Sequence, residues 1–282
     1  MRLVLTTIFD HDDTEFAEAN IRFHLNAGVD VVLAAADDDR VAEALRSFGE
    51  RVLVERGGAE RGGELRSRLA REAVTKHRAD WVISGDAREF LWPRGEDLKE
   101  VLAPIPERYT IVQGLRRNFV PMATQGSSPL QATLRPSLEH MASSTDATAL
   151  LRPVFRGDPE VQLQSDGAVQ LRRNVPLRAW YPIEVLHFPR DAAPRDGAEL
   201  VEDRRLRDAL HSLDAGESAL RFRVPDIVED ARYAVECAAV GEVDLPRLEQ
   251  YVTELEQRIE WLEQRFWPRV LRRVARIAGR SS

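Results

Sequence analysis

The chain has 282 residues, 43% hydrophobic and 31% charged, with a formal net charge of −7. This is globular composition with material for one large domain or two small ones, and it excludes disorder over the whole length. The longest apolar run, Val31 to Ala36, falls far short of the roughly 20 residues that span a bilayer. The N-terminus lacks a signal-peptide pattern, and the lone Cys237 permits neither an internal disulfide nor a cysteine zinc site, so a cytoplasmic protein is expected.

The charge is unevenly placed. Six arginines and no acid lie between Arg265 and Ser282, which leaves −13 for the preceding 264 residues. Of the 40 basic residues only Lys76 and Lys99 are lysines. A genome that favours Arg codons accounts for this, and no nucleic-acid partner is inferred.

In chain order, Leu3 to Phe9 is a buried-strand run that ends at the acidic cluster Asp10-His11-Asp12-Asp13. Phe16, Ala19, Phe23 and Ala27 then recur at helical spacing, and Gly28 closes the segment as a helix-ending glycine does. Val29 to Ala35 predicts a second strand, again followed by acids at Asp37-Asp38-Asp39, and a helix runs through Val41, Ala44, Leu45 and Phe48. Arg51 to Glu55 predicts a third strand, Glu64 to His77 a third helix with Leu65, Leu69 and Ala73 inward, and Trp81 to Ser84 a fourth strand. This alternation with short connections specifies an α/β fold, an open parallel sheet with helices on both faces.

Ligands of such sheets bind at the carboxyl ends of the strands, where Asp10, Asp37 to Asp39 and Asp86 to Glu89 form an acidic rim. Neither GxGxxG nor GxxxxGK[ST] is present, so the glycine cradles of dinucleotide and P-loop sites are missing. An acidic rim of this kind meets phosphate through a cation, either a bound metal or an arginine. Beyond residue 100 the pattern changes: Tyr109 to Gln113, Leu115 to Val120, Leu150 to Phe155 and stretches of Val161 to Leu171 read as strands, and Thr124 to Asp146 as loop.

Four segments in order resemble the family 2 glycosyltransferases with the GT-A fold. Trp81-Val82-Ile83-Ser84-Gly85-Asp86-Ala87-Arg88-Glu89-Phe90-Leu91-Trp92-Pro93 is similar to that family's DWV-x-x-DADEF-x-x-P segment. Phe9-Asp10 through His24-Leu25-Asn26-Ala27-Gly28-Val29-Asp30 resembles its opening, and Arg117 to Pro121 and Leu186 to Arg190 resemble segments of its bacterial members. The likeness covers roughly residues 1 to 210. It implies a mostly parallel, Rossmann-like GT-A sheet at 1–195, with a nucleotide-binding half at 1–105 and an acceptor half at 106–195. It also implies hexosyl-type transfer from a nucleotide-sugar donor to an acceptor, usually with inversion, and a divalent Mn²⁺ or Mg²⁺ held on the diphosphate. A nucleotidyltransferase on a similar sheet, or an inactive scaffold, are the rival readings.

Carried over by position, Asp86, Arg88 and Glu89 are the catalytic candidates, Asp86 and His187 the metal candidates, and Phe9, Asp10, Asp37, Asp38, Asp86 and Arg88 the nucleotide-sugar contacts. The motif's second Asp is replaced by Arg88, which removes one carboxylate and adds a fixed positive charge. Three consequences stay open: the Arg88 guanidinium contacts phosphate in place of the metal; Asp86 or Glu89 binds metal while Arg88 faces away; or the site is inactive. Asp37 to Asp39 also read as a helix cap, His187 as a packed histidine and His24 as structural. Glu139, Asp146 and Asp158 are the carboxylates from which a general base would come, and spacing does not choose among them.

The expected tail comprises a helical extension at 196–243 and two helices at 244–282. Leu245, Leu248, Val252, Leu255, Ile259, Leu262 and Phe266 form a heptad seam that pairs with a second subunit through 245–266 or packs on the body. After Pro268, residues 269–280 place Val270, Leu271, Val274 and Ile277 opposite five arginines, the composition of a helix attached to the anionic inner face of the plasma membrane or of a solvated terminus.

Overall fold

The computed structural model describes residues 1–57, 62–95, 97–119, 134–136, 151–165, 167–177, 181–189 and 200–202. The chain divides into two compact units, Met1–Val240 and Gly241–Ser282. The heptad seam at 245–266, the basic segment at 269–280, Glu139, Asp146 and Arg190 lie outside the described residues. No helix among the described residues is long and apolar enough to cross a membrane.

The first half follows the expected order: β1 (Leu3–Phe9), α1 (Thr14–Asn26), β2 (Val31–Ala36), α2 (Asp39–Arg46), β3 (Val52–Arg56), α3 (Gly63–Thr75) and β4 (Trp81–Asp86). β1 and β2 are short apolar runs buried on both faces, as interior parallel strands require, while β3 at the sheet edge buries only Val52. Gly28 follows α1 at φ +101°, a left-handed conformation that glycine adopts without strain. The chain continues through β5 (Glu89–Pro93), α4 (Leu98–Leu102), β6 (Ile111–Asn118), β7 (Leu134–Pro136), β8 (Leu151–Arg156), β9 (Gln162–Leu163), β10 (Val169–Gln170), β11 (Ile183–His187) and β12 (Leu200–Glu202).

One sheet of eight strands, ordered β3-β2-β1-β4-β8-β6-β11-β5, organises the molecule. β1 pairs in parallel with β2 and β4, and β2 with β3. β8 inserts antiparallel between β4 and β6, β11 runs parallel to β6, and β5 closes the edge antiparallel to β11. Six strands therefore point one way and two the other. The sheet is mostly parallel but not wholly so, since β5 and β8 reverse. Leu5, Phe9, Phe16, Ile21, Leu45, Trp81 and Leu98 belong to one apolar cluster, with α1, α2 and α4; Val4, Leu33, Leu65, Leu69, Val82 and Phe155 belong to another, with α3.

The structure corrects three local readings. The two strands expected at 109–113 and 115–120 are the single strand β6. Gly114 does not break it: a Cβ there would stand 2.7 Å from Val185 Cγ2, so the missing side chain lets β11 approach. Glu89–Pro93 is a strand that the sequence pattern did not announce. Leu200–Glu202 pairs antiparallel with β7 inside the expected helical extension.

Candidate functional site

The chain passes from β1 outward to β2 and β3, then returns to the other side of β1 as β4. The carboxyl ends of β1 and β4 beside this reversal are the place where open α/β sheets bind ligands. Because β6 and β11 share the direction of β4, Asn118 and His187 end at the same rim as Asp86. The reversed strands β5 and β8 begin there, with Glu89 and Leu151-Arg152. Register aligns His187 with Glu89 on one side and Asn118 on the other.

The turn between β4 and β5 is fastened from beneath. Asn20, 1% exposed on α1, donates through Nδ2 to the carbonyls of Asp86 (3.4 Å), Ala87 (2.9 Å) and Glu89 (2.9 Å). One turn along, His24 Nδ1–H donates to the Asn20 carbonyl (2.8 Å) and Nε2 accepts from Leu91 N–H (3.2 Å). This fixes a neutral tautomer, and burial pushes the His24 pKa down to about 4. The structural reading of His24 is the observed one.

Above the turn stands a network of guanidinium and carboxylate groups. Glu89, 1% exposed, accepts from Arg152 Nε (2.6 Å) and from the Asp86 backbone N–H (3.2 Å), and Arg116 Nε lies 3.5 Å from it. Arg66, reaching from α3, pairs with the Asp86 carboxylate and donates to the Gly85 carbonyl (3.3 Å). His187 Nδ1–H donates to Asn118 Oδ1 (2.8 Å), which leaves Nε2 to accept from Arg116 Nη2 (2.8 Å). Burial first, then the adjacent Arg116, pushes the His187 pKa down to about 3, so its ring is neutral. Burial would raise the Asp86 pKa, but Arg66, Arg152 and Arg116 hold it below the usual carboxylate range. Among the described residues, three guanidiniums against two carboxylates give the network an excess of one positive charge.

Arg88 is elsewhere engaged. Its Nε donates to Asp13 (2.9 Å), and its guanidinium carbon lies 4.6 Å from the Phe16 ring centroid, a cation–π position. The group therefore ties the β4–β5 turn to the loop after β1. Among the remaining nucleotide candidates, the Phe9 ring is fully buried in the core, while its carbonyl accepts from Asp37 N–H (3.3 Å). Asp10 and Asp37 are exposed. Asp38 caps α2 by accepting from Arg40 N–H (2.7 Å), and Asp39 pairs with Arg56 at 3.6 Å. Asp158 accepts from Glu160 and Arg172 backbone N–H groups (2.9 and 2.8 Å) beyond the reversed strand β8, at the opposite rim. There it borders an open cleft of about 400 Å³ lined also by Thr110, Arg156, Leu171, Arg172 and Arg173.

The divalent cation implied by the motif does not fit this donor set. Asp86 is taken by Arg66, Glu89 by two arginines, and both ring nitrogens of His187 by Asn118 and Arg116. Among the described residues no group of three His, Cys, Asp or Glu side chains is placed to hold a metal ion. The residues that sequence reasoning missed are Arg66, Arg116, Arg152, Asn118 and Asn20. A readable signal existed for two of them: Arg116 follows Leu115 inside an apolar strand, and Asn20 lies on the face of α1 that carries Phe16 and Phe23.

No family model matches the chain, and no curated protein matches it. Among solved structures it is similar to S. aureus TarS in complex with UDP-GlcNAc, at 12% identity and TM-score 0.43, over 90% of this chain and 79% of that one. It is also similar to the bifunctional glycosyltransferase WbbM, at 10% identity and TM-score 0.29, over 40% and 23% of the two chains. A third similar structure is CMP:2-keto-3-deoxy-manno-octonic acid synthetase complexed with CTP, at 16% identity and TM-score 0.29, over 92% and 99%. Likenesses this distant fix neither a family nor a chemistry.

Proposed function

We propose that the chain is a glycosyltransferase that moves a sugar from a nucleotide-sugar donor to an acceptor hydroxyl, with the GT-A arrangement that the segment at 81–93 resembles. One observation carries the reading: a cation-rich, partly buried network at the carboxyl-end rim of the sheet, beside the point where the strand order reverses. Such a rim is where open α/β sheets hold ligands, and surplus guanidinium donors suit the phosphates that every nucleotide sugar carries. The acidic loops at Asp10 and Asp37 border the same rim and are positioned for the neutral, hydroxyl-bearing parts of a donor rather than for its phosphates.

Product analysis tests this reading. Full-length protein incubated with UDP-, GDP- and dTDP-sugars is expected to release nucleoside diphosphate. Release of pyrophosphate from a nucleoside triphosphate and a sugar phosphate would instead identify a nucleotidyltransferase. Failure of every nucleotide sugar to raise the unfolding temperature would leave a scaffold.

A further inference from the structure

We propose that the guanidiniums of Arg116 and Arg152 replace the divalent cation at the leaving diphosphate, so that the donor is bound and activated without metal. This rests on the donor reading above. In the transfer, the bond from the anomeric carbon to the diphosphate oxygen breaks and its electron pair stays on that oxygen. A bond to the acceptor oxygen forms, and the acceptor proton passes to a base. The leaving group thus gains one negative charge, which preorganised positive groups must meet.

Three observations place that role on these arginines. The first is position: Arg116 and Arg152 project from strands on either side of the same pairing, with Gly114 opposite Arg152, and both reach Glu89 at the start of β5. The second is unspent donor capacity. Among the described residues, Arg152 engages Glu89 through Nε and the Leu151 carbonyl through Nη1 (3.4 Å), and Arg116 engages His187 through Nη2. Arg152 Nη2 and Arg116 Nη1 keep N–H groups for an acceptor. The third is fixation: Glu89 is 1% exposed and holds both guanidiniums at once, so little reorganisation accompanies the charge shift. The same Glu89 and the Arg66–Asp86 pair engage the carboxylates that a metal would need.

Calorimetric titration of the full chain with UDP, GDP and dTDP, once in EDTA and once in Mg²⁺ or Mn²⁺, decides the matter. The expected result is binding of at least one of them with the same affinity, within about twofold, in both buffers. Arg116→Gln and Arg152→Gln should each weaken that binding roughly 10- to 100-fold, the loss of a charge-assisted hydrogen bond. Arg152→Lys keeps the charge beside Glu89 and so guards against misfolding, yet it should still bind more weakly because the planar fork is gone. Binding that vanishes in EDTA and returns with metal overturns this inference while leaving the donor reading intact. Binding to none of the three in either buffer overturns both.

Discussion

The sheet has two halves of four strands each, and they build their polar rims in opposite ways. In β3-β2-β1-β4 the strands follow one another closely, and several acids after them have a partner close by in the chain: Asp38 caps α2, and Asp13 accepts from Asp10 N–H (3.1 Å) while also pairing with Arg88. In β8-β6-β11-β5 the contacts join segments far apart in the chain, Glu89 to Arg152 across 63 residues, Arg116 to His187 across 71 and Arg94 to Glu184 across 90. Carboxylates at strand ends are thus a local product of chain punctuation. The cation excess exists only once the second half has assembled against β4. The parallel half supplies the platform, and the mixed half supplies two of the network's three guanidiniums, Arg116 and Arg152.

Breaking the mixed half should have the largest effect. Glu184 is buried between Arg94 (2.7 Å) and Arg117 (2.7 Å) and joins β11 to its neighbours. Glu184→Gln removes the carboxylate charge from between two buried guanidiniums and should cost about 3–5 kcal/mol in urea unfolding. A loss under about 1 kcal/mol would mean that apolar packing alone holds β11 to β6 and β5.

Acid should unsettle the parallel half next. The His24 pKa lies at about 4 in the folded chain, against 6.5 as its ordinary value. Between those values the unfolded chain binds a proton that the folded chain does not, so stability is present above pH 6.5 and falls as pH drops toward 4. The full loss is about 3 kcal/mol. Burial and then Arg116 hold His187 lower still, so it adds to the same slope. His24→Gln should flatten the pH dependence in this window by its own share, measured by urea unfolding at several pH values.

The smallest of the three effects should come from the joint between the halves. Asn20→Ala removes three hydrogen bonds to the β4–β5 turn and should cost roughly 2 kcal/mol. It should also weaken nucleotide binding, since the turn positions Glu89; unchanged binding would show that the turn holds its shape without α1.

The alternation from β1 to β4 was legible because each element is short, periodic and bounded by its own stop signals. The register of β6 was not, because Gly114 reads as a break and its real reason, Val185 of β11, lies 71 residues away in the chain. The site was legible in its place and not in its charge. Asp86 and Glu89 stood out through the motif, and Arg88 stood out beside them, yet Arg88 is drawn to Asp13. With only two lysines among 40 basic residues, a single arginine carries little signal. Arg66, Arg116 and Arg152 become a group only through the pairing of strands whose register no local pattern records.

Hydrogen exchange of the full chain, with and without a saturating UDP-, GDP- or dTDP-sugar, tests most directly whether the assembled rim is the donor site. Amides at 85–90, 114–118, 151–152 and 186–188 are expected to gain protection together, with 156–158 and 171–173 around the opposite cleft unchanged. Protection confined to that opposite cleft, or to the loops after β2 and β3, would contradict the assignment.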